Sequence, residues 1–209
     1  MNSRRMTTVA AASLALLLLT VSGVAAVEIG QQAPEFAELP GVDGRSHALA
    51  DYAEAKAVVV VFTCNHCPIA QLYEDRLIAV QQDYQDKGVQ LVAINPNSQT
   101  VPDDSLEHMK QRAAGKDLGN WRQTKQPFNF PYAADDTQEV AKAYGATVTP
   151  HVFVLDADRT VAYMGAVDNS MNPANVQNRF LRNALDAILA GRAPERASTT
   201  QLGCVIAWK

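Results

Sequence analysis

An apolar run that ends in two cysteines constrains this chain more than any other feature. Val58, Val59, Val60, Val61 and Phe62 stand in a row, four of them β-branched, and such a run reads as a strand buried on both faces. Thr63-Cys64-Asn65-His66-Cys67-Pro68 follows at once. Apolar residues then recur with helical spacing at Ile69, Leu72, Tyr73, Leu77, Val80 and Tyr84. A strand, a Cys-x-x-Cys and a helix in that order make a redox arrangement. The first cysteine is expected at the helix N-terminus, where unpaired N–H groups and the helix dipole favour a thiolate. The second lies one turn on, close enough to close a small disulfide ring. Pro68 suits the first turn, where its missing N–H is not needed.

Two cysteines at this spacing can also be half a zinc site, or simply two small buried apolar residues. A structural zinc site needs a second ligand pair with its own short spacing. The third cysteine, Cys204, and His47, His108 and His151 are scattered along the chain. No metal ligand set and no cofactor are therefore assigned, and redox chemistry at Cys64 and Cys67 is the favoured reading. A Cu(I)-binding module using these thiolates and a histidine stays open as another class, since soft sulfur ligands suit that ion.

Residues 1–26 read as a cleaved signal peptide. Arg4 and Arg5 form a positive start, a largely apolar core follows, and Val24-Ala25-Ala26 offers small residues for cleavage after Ala26. The apolar stretch is marginal for a membrane span, so an uncleaved N-terminal anchor is the lesser reading. Export points to a periplasmic or secreted protein, in a compartment where disulfides persist. Of the 209 residues, 183 remain, enough for one domain with a full core. The two arginines leave with the signal and no acid does, so the formal charge moves from −4 to −6. That acidity argues against a nucleic-acid partner.

The mature domain spans 27–209. Residues 30–56 form an entry segment with two short strands near Leu39 and 46–49, a Gly41–Gly44 turn and a helical turn at 50–55. His47 is read there as an exposed strand residue. The helix from Pro68 runs to Lys87 and stops at Gly88. A strand at 89–94 completes a βαβ crossover, which makes the two strands parallel. Asp103-Asp104-Ser105 reads as the cap of a helix over 106–114, and 115–129 as an irregular excursion in which Trp121 packs. A short strand at 132–134 and a helix from 136 to Gly145 follow. Thr149-Pro150 enters a strand at 151–155, which turns at 156–159 into an antiparallel return. Residues 175–190 read as one amphipathic helix, and 194–209 as a docked C-terminal tail.

This order, with Cys-x-x-Cys after a core strand and Thr149-Pro150 entering a later one, resembles the thioredoxin fold. That resemblance implies an α/β protein with a central mixed sheet flanked by helices. The entry Ile29-Gly30-x-x-Ala33-Pro34-x-Phe36 looks like the redoxin branch, of the alkyl hydroperoxide reductase/thiol-specific antioxidant type, with its N-terminal extension. Thr63-Cys64-Asn65-His66-Cys67-Pro68, Thr149-Pro150-His151 and Gly203-Cys204-Val205-Ile206 together resemble a peroxiredoxin-like subgroup. Pro150 matches the family's cis-proline, which with Thr149 helps to hold an extended substrate. Two departures stand out. Set on the peroxiredoxin motif Pro-x-x-x-Thr-x-x-Cys, Cys67 has Cys64 in place of the threonine and Val60 in place of the proline. The strand at 58–62 also carries none of the buried acid that many thioredoxins use as a proton relay.

The resemblance implies a thiol-disulfide oxidoreductase. Cys64 is the expected nucleophile and Cys67 resolves the mixed disulfide. His66 resembles the dipeptide of strongly oxidising exported proteins, and a positive charge there is expected to lower the Cys64 pKa. Cys204 is expected as a buried thiol, with a resolving role as the sharper alternative. His151 is read as a strand residue near the site. The expected partners are protein dithiols or disulfides and a recycling reductase or oxidase. A peroxiredoxin-like thiol peroxidase acting on hydroperoxides is the alternative.

Overall fold

The computed structural model describes residues 26–116 and 126–209. The signal segment up to residue 25 and Trp121 lie outside the described residues. In chain order the elements are β1 (Leu39–Pro40), β2 (Ser46–His47), β3 (Ala57–Phe62), α1 (Pro68–Tyr84), β4 (Val89–Asn95), α2 (Leu106–Ala113) and β5 (Tyr132–Ala134). Then come α3 (Glu139–Tyr144), β6 (Val148–Thr149), β7 (His151–Leu155), β8 (Val161–Gly165), α4 (Phe180–Leu189) and β9 (Cys204–Val205).

The sheet order is β5-β4-β3-β7-β8, so the valine run is its central strand. β3, β4 and β5 run parallel, while β7 and β8 are antiparallel additions. Every residue of β3 is fully buried, as a strand with helices on both faces must be. Its alternate residues serve opposite layers. Val59 and Val61 pack towards Tyr73 and Leu77 of α1 and Leu181 and Leu185 of α4. Val58, Val60 and Phe62 pack towards Tyr144 of α3 and towards Phe36 and Leu39 of the entry segment. Phe62, Tyr144 and Phe153 form an aromatic trio with ring centroids 5.2 to 5.7 Å apart.

Three local readings need correction. The 175–190 helix is shorter: α4 starts only at Phe180. Asn169 Oδ1 accepts from the backbone N–H groups of Gln177 and Asn178, which fastens that stretch to the preceding loop. His47 is buried, not exposed. Its ring nitrogens meet Tyr52 Oη and Asp43 Oδ1, each at 3.1 Å, so a polar pocket replaces solvent. Third, α1 begins at Pro68 with Cys67 as its cap. A residue before proline is pushed out of the helical region, and Cys67 accordingly sits at φ −74°, ψ 116°. Cys64 therefore lies in the loop before the helix and not at its first turn.

The last residues return to the sheet edge where the cysteines lie. Ala197–Thr199 hydrogen-bond along Met164 of β8, and β9 then pairs antiparallel with β6, Val148 opposite Val205 and Thr149 opposite Cys204. Ile206 is buried, Ala207 N donates to Asn97 Oδ1 at 2.9 Å and Lys209 N to Gln138 Oε1 at 2.9 Å. Gly203 is where the tail comes closest. A Cβ there would lie 2.3 Å from the Thr149 carbonyl oxygen, so only a residue without one fits.

Candidate active site

All three cysteines of the chain meet at one end of β3. Cys67, capping α1, is joined by a disulfide to Cys204, 137 residues away, with the two Cα atoms 5.9 Å apart. That separation is ordinary for a disulfide and follows from the pairing of Cys204 with Thr149. Cys64 is a free, buried thiol. The bonded pair thus differs from the favoured expectation, a Cys64–Cys67 disulfide with Cys204 as a buried thiol; a Cys204 bonded to Cys67 is the pairing that the alternative, a resolving role for Cys204, leads one to expect. The antiparallel tail strand, which no spacing in the chain announces, brings the remote sulfur into range.

Thr149 touches all three. Its hydroxyl lies 2.9 Å from Cys64 Sγ, its carbonyl oxygen lies 3.3 Å from Cys67 Sγ, and its backbone pairs with Cys204. The Thr149–Pro150 peptide is cis. Beyond Pro150 a cleft of about 620 Å³ opens between Tyr73, Val167, Met171, Phe180 and Leu202, so the tail forms one of its walls. His151 is buried and packs on Phe153 with ring centroids 4.5 Å apart. Burial pushes it down to about 4, so it is neutral at pH 7.

On the other side of Cys64 stands a polar chain. His66 Nδ1 is hydrogen-bonded to Oδ2 of Asp104, which lies just before α2. Asp104 is fully buried. Its Oδ1 accepts from the backbone N–H of Asn65, from that of His66 at 3.4 Å and from Asn95 Nδ2 at 3.1 Å. Tyr132 Oη accepts from Asn95 Nδ2 and donates to Asn65 Oδ1, both at 3.1 Å. Asn65 Nδ2 donates to the Asp103 carbonyl at 2.8 Å. The hydrogen bond to Asp104, and then Cys64, push His66 up to about 10 against the opposing effect of its burial. Burial, followed by the charges of Asp104 and Cys64, holds the Tyr132 phenol well above its ordinary value.

Cys64 Sγ, a ring nitrogen of His66 and a carboxylate oxygen of Asp104 all lie within 4.8 Å of one another. The carboxylate already accepts four hydrogen bonds, two of them from the backbone N–H and the ring of His66, so the cluster is a hydrogen-bonded chain. Cys64, His66 and Cys67 share one loop, which the motif made legible. Asp104 did not stand out, because its only visible signal was that of a helix cap. Asn95 and Tyr132 carried no signal beyond strand propensity.

A buried mixed sheet that presents a free thiol, a disulfide and a cis-proline at one edge defines a thioredoxin-fold redox protein. Residues 29–164 match the AhpC/TSA family, and the chain belongs to it. It is an oxidoreductase of that family. Among solved structures it is similar to an uncharacterized conserved protein from Geobacillus kaustophilus, at 41% identity and a TM-score of 0.77, over 87% of this chain and 93% of that one. A hypothetical protein from Sinorhizobium meliloti is 33% identical, with a TM-score of 0.75 over 88% of this chain and 97% of that one. A thiol-disulfide oxidoreductase, ResA, from Bacillus thuringiensis is 25% identical over 135 residues, 65% of this chain and 68% of its own.

Proposed function

We propose that this chain is an exported thiol-disulfide oxidoreductase in which Cys64 is the nucleophile, Cys67 the shared sulfur and Cys204 a second resolving thiol. The observation that carries the reading is the division of labour among the sulfurs: Cys67 is bonded to Cys204 while Cys64 stays free beside it. The ResA relatives act in the same chemical class by name.

The steps balance as thiol-disulfide exchanges. In the fully reduced protein the Cys64 thiolate attacks a substrate disulfide and expels one substrate thiolate, leaving a mixed disulfide. Cys67 attacks Cys64 Sγ, releases the second substrate thiol and closes a Cys64–Cys67 bond. Cys204 then attacks Cys67 Sγ, which frees Cys64 and gives the Cys67–Cys204 bond. Two electrons have passed to the substrate, and a recycling dithiol must return them. Run backwards, the same steps oxidise a substrate dithiol. Thr149 and Pro150 hold the substrate beside Cys64, on the edge that β9 occupies when the tail is bonded.

The test mixes fully reduced protein rapidly with a model protein disulfide or with hydrogen peroxide, follows tryptophan fluorescence, and maps the disulfides. Fast reaction with the protein disulfide, slow reaction with peroxide and accumulation of Cys67–Cys204 support the reading. Fast reaction with peroxide replaces it with a thiol peroxidase. Export is tested separately, by finding the chain outside the cytoplasm with its N-terminus at residue 27.

A further inference from the structure

A carboxylate with no solvent contact is costly to bury unless its charge is compensated. Asp104 is 0% exposed. Three of its four hydrogen-bond donors are neutral: the N–H groups of Asn65 and His66 and the Asn95 amide. Among the described residues, the only hydrogen-bond partner of Asp104 able to carry a positive charge is His66. Because Nδ1 is engaged by the carboxylate, Nε2 is the ring's remaining polar atom, and the acid sets both tautomer and ring orientation. The sulfur of Cys64 lies within 4.8 Å of this pair. Cys67, not Cys64, is the cap of α1, and its sulfur accepts from the Ala70 N–H at 3.4 Å.

We infer that Asp104 is a positioning residue for Cys64: it orients His66 and holds it as an imidazolium against the nucleophilic sulfur. The inference rests on the reading of Cys64 as nucleophile. A buried acid serves the thiol, as the thioredoxin resemblance leads one to look for, but it comes from the loop after β4 and not from β3. It works on the first cysteine through a histidine. Its anchoring by Asn95 at the end of β4, and of Asn95 by Tyr132 on β5, ties the charge to the rigid sheet.

The other groups around Cys64 do not supply this charge. Thr149 on β6 offers a hydroxyl, Tyr132 on β5 a neutral phenol, and His151 on β7 a neutral ring. Arg112 of α2 is closed in a 2.6 Å ion pair with Glu74 of α1.

The experiment uses the full mature chain with Cys67 and Cys204 changed to serine, so that Cys64 alone titrates. Thiolate absorbance reports Cys64, and the ring nitrogen shifts of His66 report the imidazole. In Asp104→Asn, which keeps the shape but not the charge, the His66 midpoint is expected to fall by two or more pH units (order of magnitude) and the Cys64 midpoint to rise by about one. Adding Asp104→Asn to His66→Ala is expected to raise Cys64 no further, because the acid favours the thiolate only through the ring and its own negative charge opposes it. Unmoved titrations in Asp104→Asn overturn the inference, and so does a full Asp104 effect surviving in the His66→Ala background. If Asp104→Asn does not fold, the His66 midpoint of the parent chain with Cys64 also changed to serine decides: a value well above 6.5 supports the inference and one near 6.5 overturns it. These readouts involve no substrate, so they stand or fall independently of whether protein disulfides or hydroperoxides are used.

Discussion

The two sides of the sulfur cluster are built by different means. Around Cys64, side chains from separate elements converge: His66 from its own loop, Asp104 from the loop after β4, Asn95 from β4 and Tyr132 from β5. Around Cys67 and Cys204 the work is done by main chain, with β9 paired to β6 and Gly203 lying against the Thr149 carbonyl. The first side is therefore governed by charge and answers to pH. The second is governed by the path of the chain and answers to steric fit. Thr149 belongs to both, with its hydroxyl on one side and its backbone on the other.

Removing a sulfur breaks the comparison most completely. Cys64→Ser is expected to abolish attack on a model protein disulfide. Cys67→Ser is expected to leave attack intact but slow substrate release by at least about a hundredfold, so that a Cys64 mixed disulfide accumulates. Stopped-flow fluorescence and non-reducing mass spectrometry read both, and rapid turnover by Cys67→Ser would show that Cys67 is not the resolving sulfur.

Next in size is a change aimed at the main-chain side alone. Gly203→Val places a side chain where the Thr149 carbonyl stands, and overpacking of this kind typically costs about 1–3 kcal/mol. The Cys67–Cys204 bond is then expected to form about tenfold less readily at a fixed glutathione ratio, and buried Cys64 to alkylate faster, while the His66 titration stays put. A shifted His66 midpoint would mean that the two sides are coupled through the tail.

Thr149→Val sharpens the division in the other direction. It removes the hydroxyl 2.9 Å from Cys64 Sγ and leaves the backbone pairing with Cys204 unchanged. The expected effect is about 1 kcal/mol on Cys64 reactivity, with the Cys67–Cys204 equilibrium unaltered. Alkylation kinetics and redox titration measure the two quantities separately.

Stability against pH tests the charged side by itself. His66 is held at about 10 in the folded chain and titrates near 6.5 when unfolded. Its contribution is present in full below pH 6.5 and is lost as pH rises through 10, because the folded state then binds the extra proton. His151 has the opposite sign: pushed down to about 4, it costs stability as pH falls from 6.5 towards 4. Thermal unfolding is expected to place maximum stability near pH 6.5. Changing His66 to Ala should flatten the alkaline limb, and changing His151 to Phe the acidic one. An alkaline limb that persists without His66 would remove the imidazolium from the site.

Much of the sheet could be read from local pattern. The β-branched run at β3 can only be satisfied by burial on both faces, and the helix after it, extended by a 3-10 turn over Gln85–Lys87 that Gly88 closes at φ 88°, dictates a parallel neighbour. The short strands of the entry segment and the β7–β8 hairpin follow from turn residues between apolar stretches. The helix expected over 175–190 failed because the Asn169 amide reaches forward to residues 177 and 178, a contact that periodicity does not register. His47 failed for a similar reason, since a polar residue on a short strand is buried once Asp43 and Tyr52 close around it.

The sequence by itself determined the redox character and its place: two cysteines and a histidine on a loop between a buried strand and a helix, with Thr149-Pro150 to face them. These are consequences of neighbouring residues, whose backbone preferences and spacing act over a turn or a strand. The tertiary structure alone decided which sulfurs are bonded and what sits behind the histidine. Cys204 is 137 residues from Cys67 and Asp104 is 38 from His66. Contacts at such separations depend on how the sheet stacks its strand ends and where the tail finds an open edge, and no local pattern encodes either.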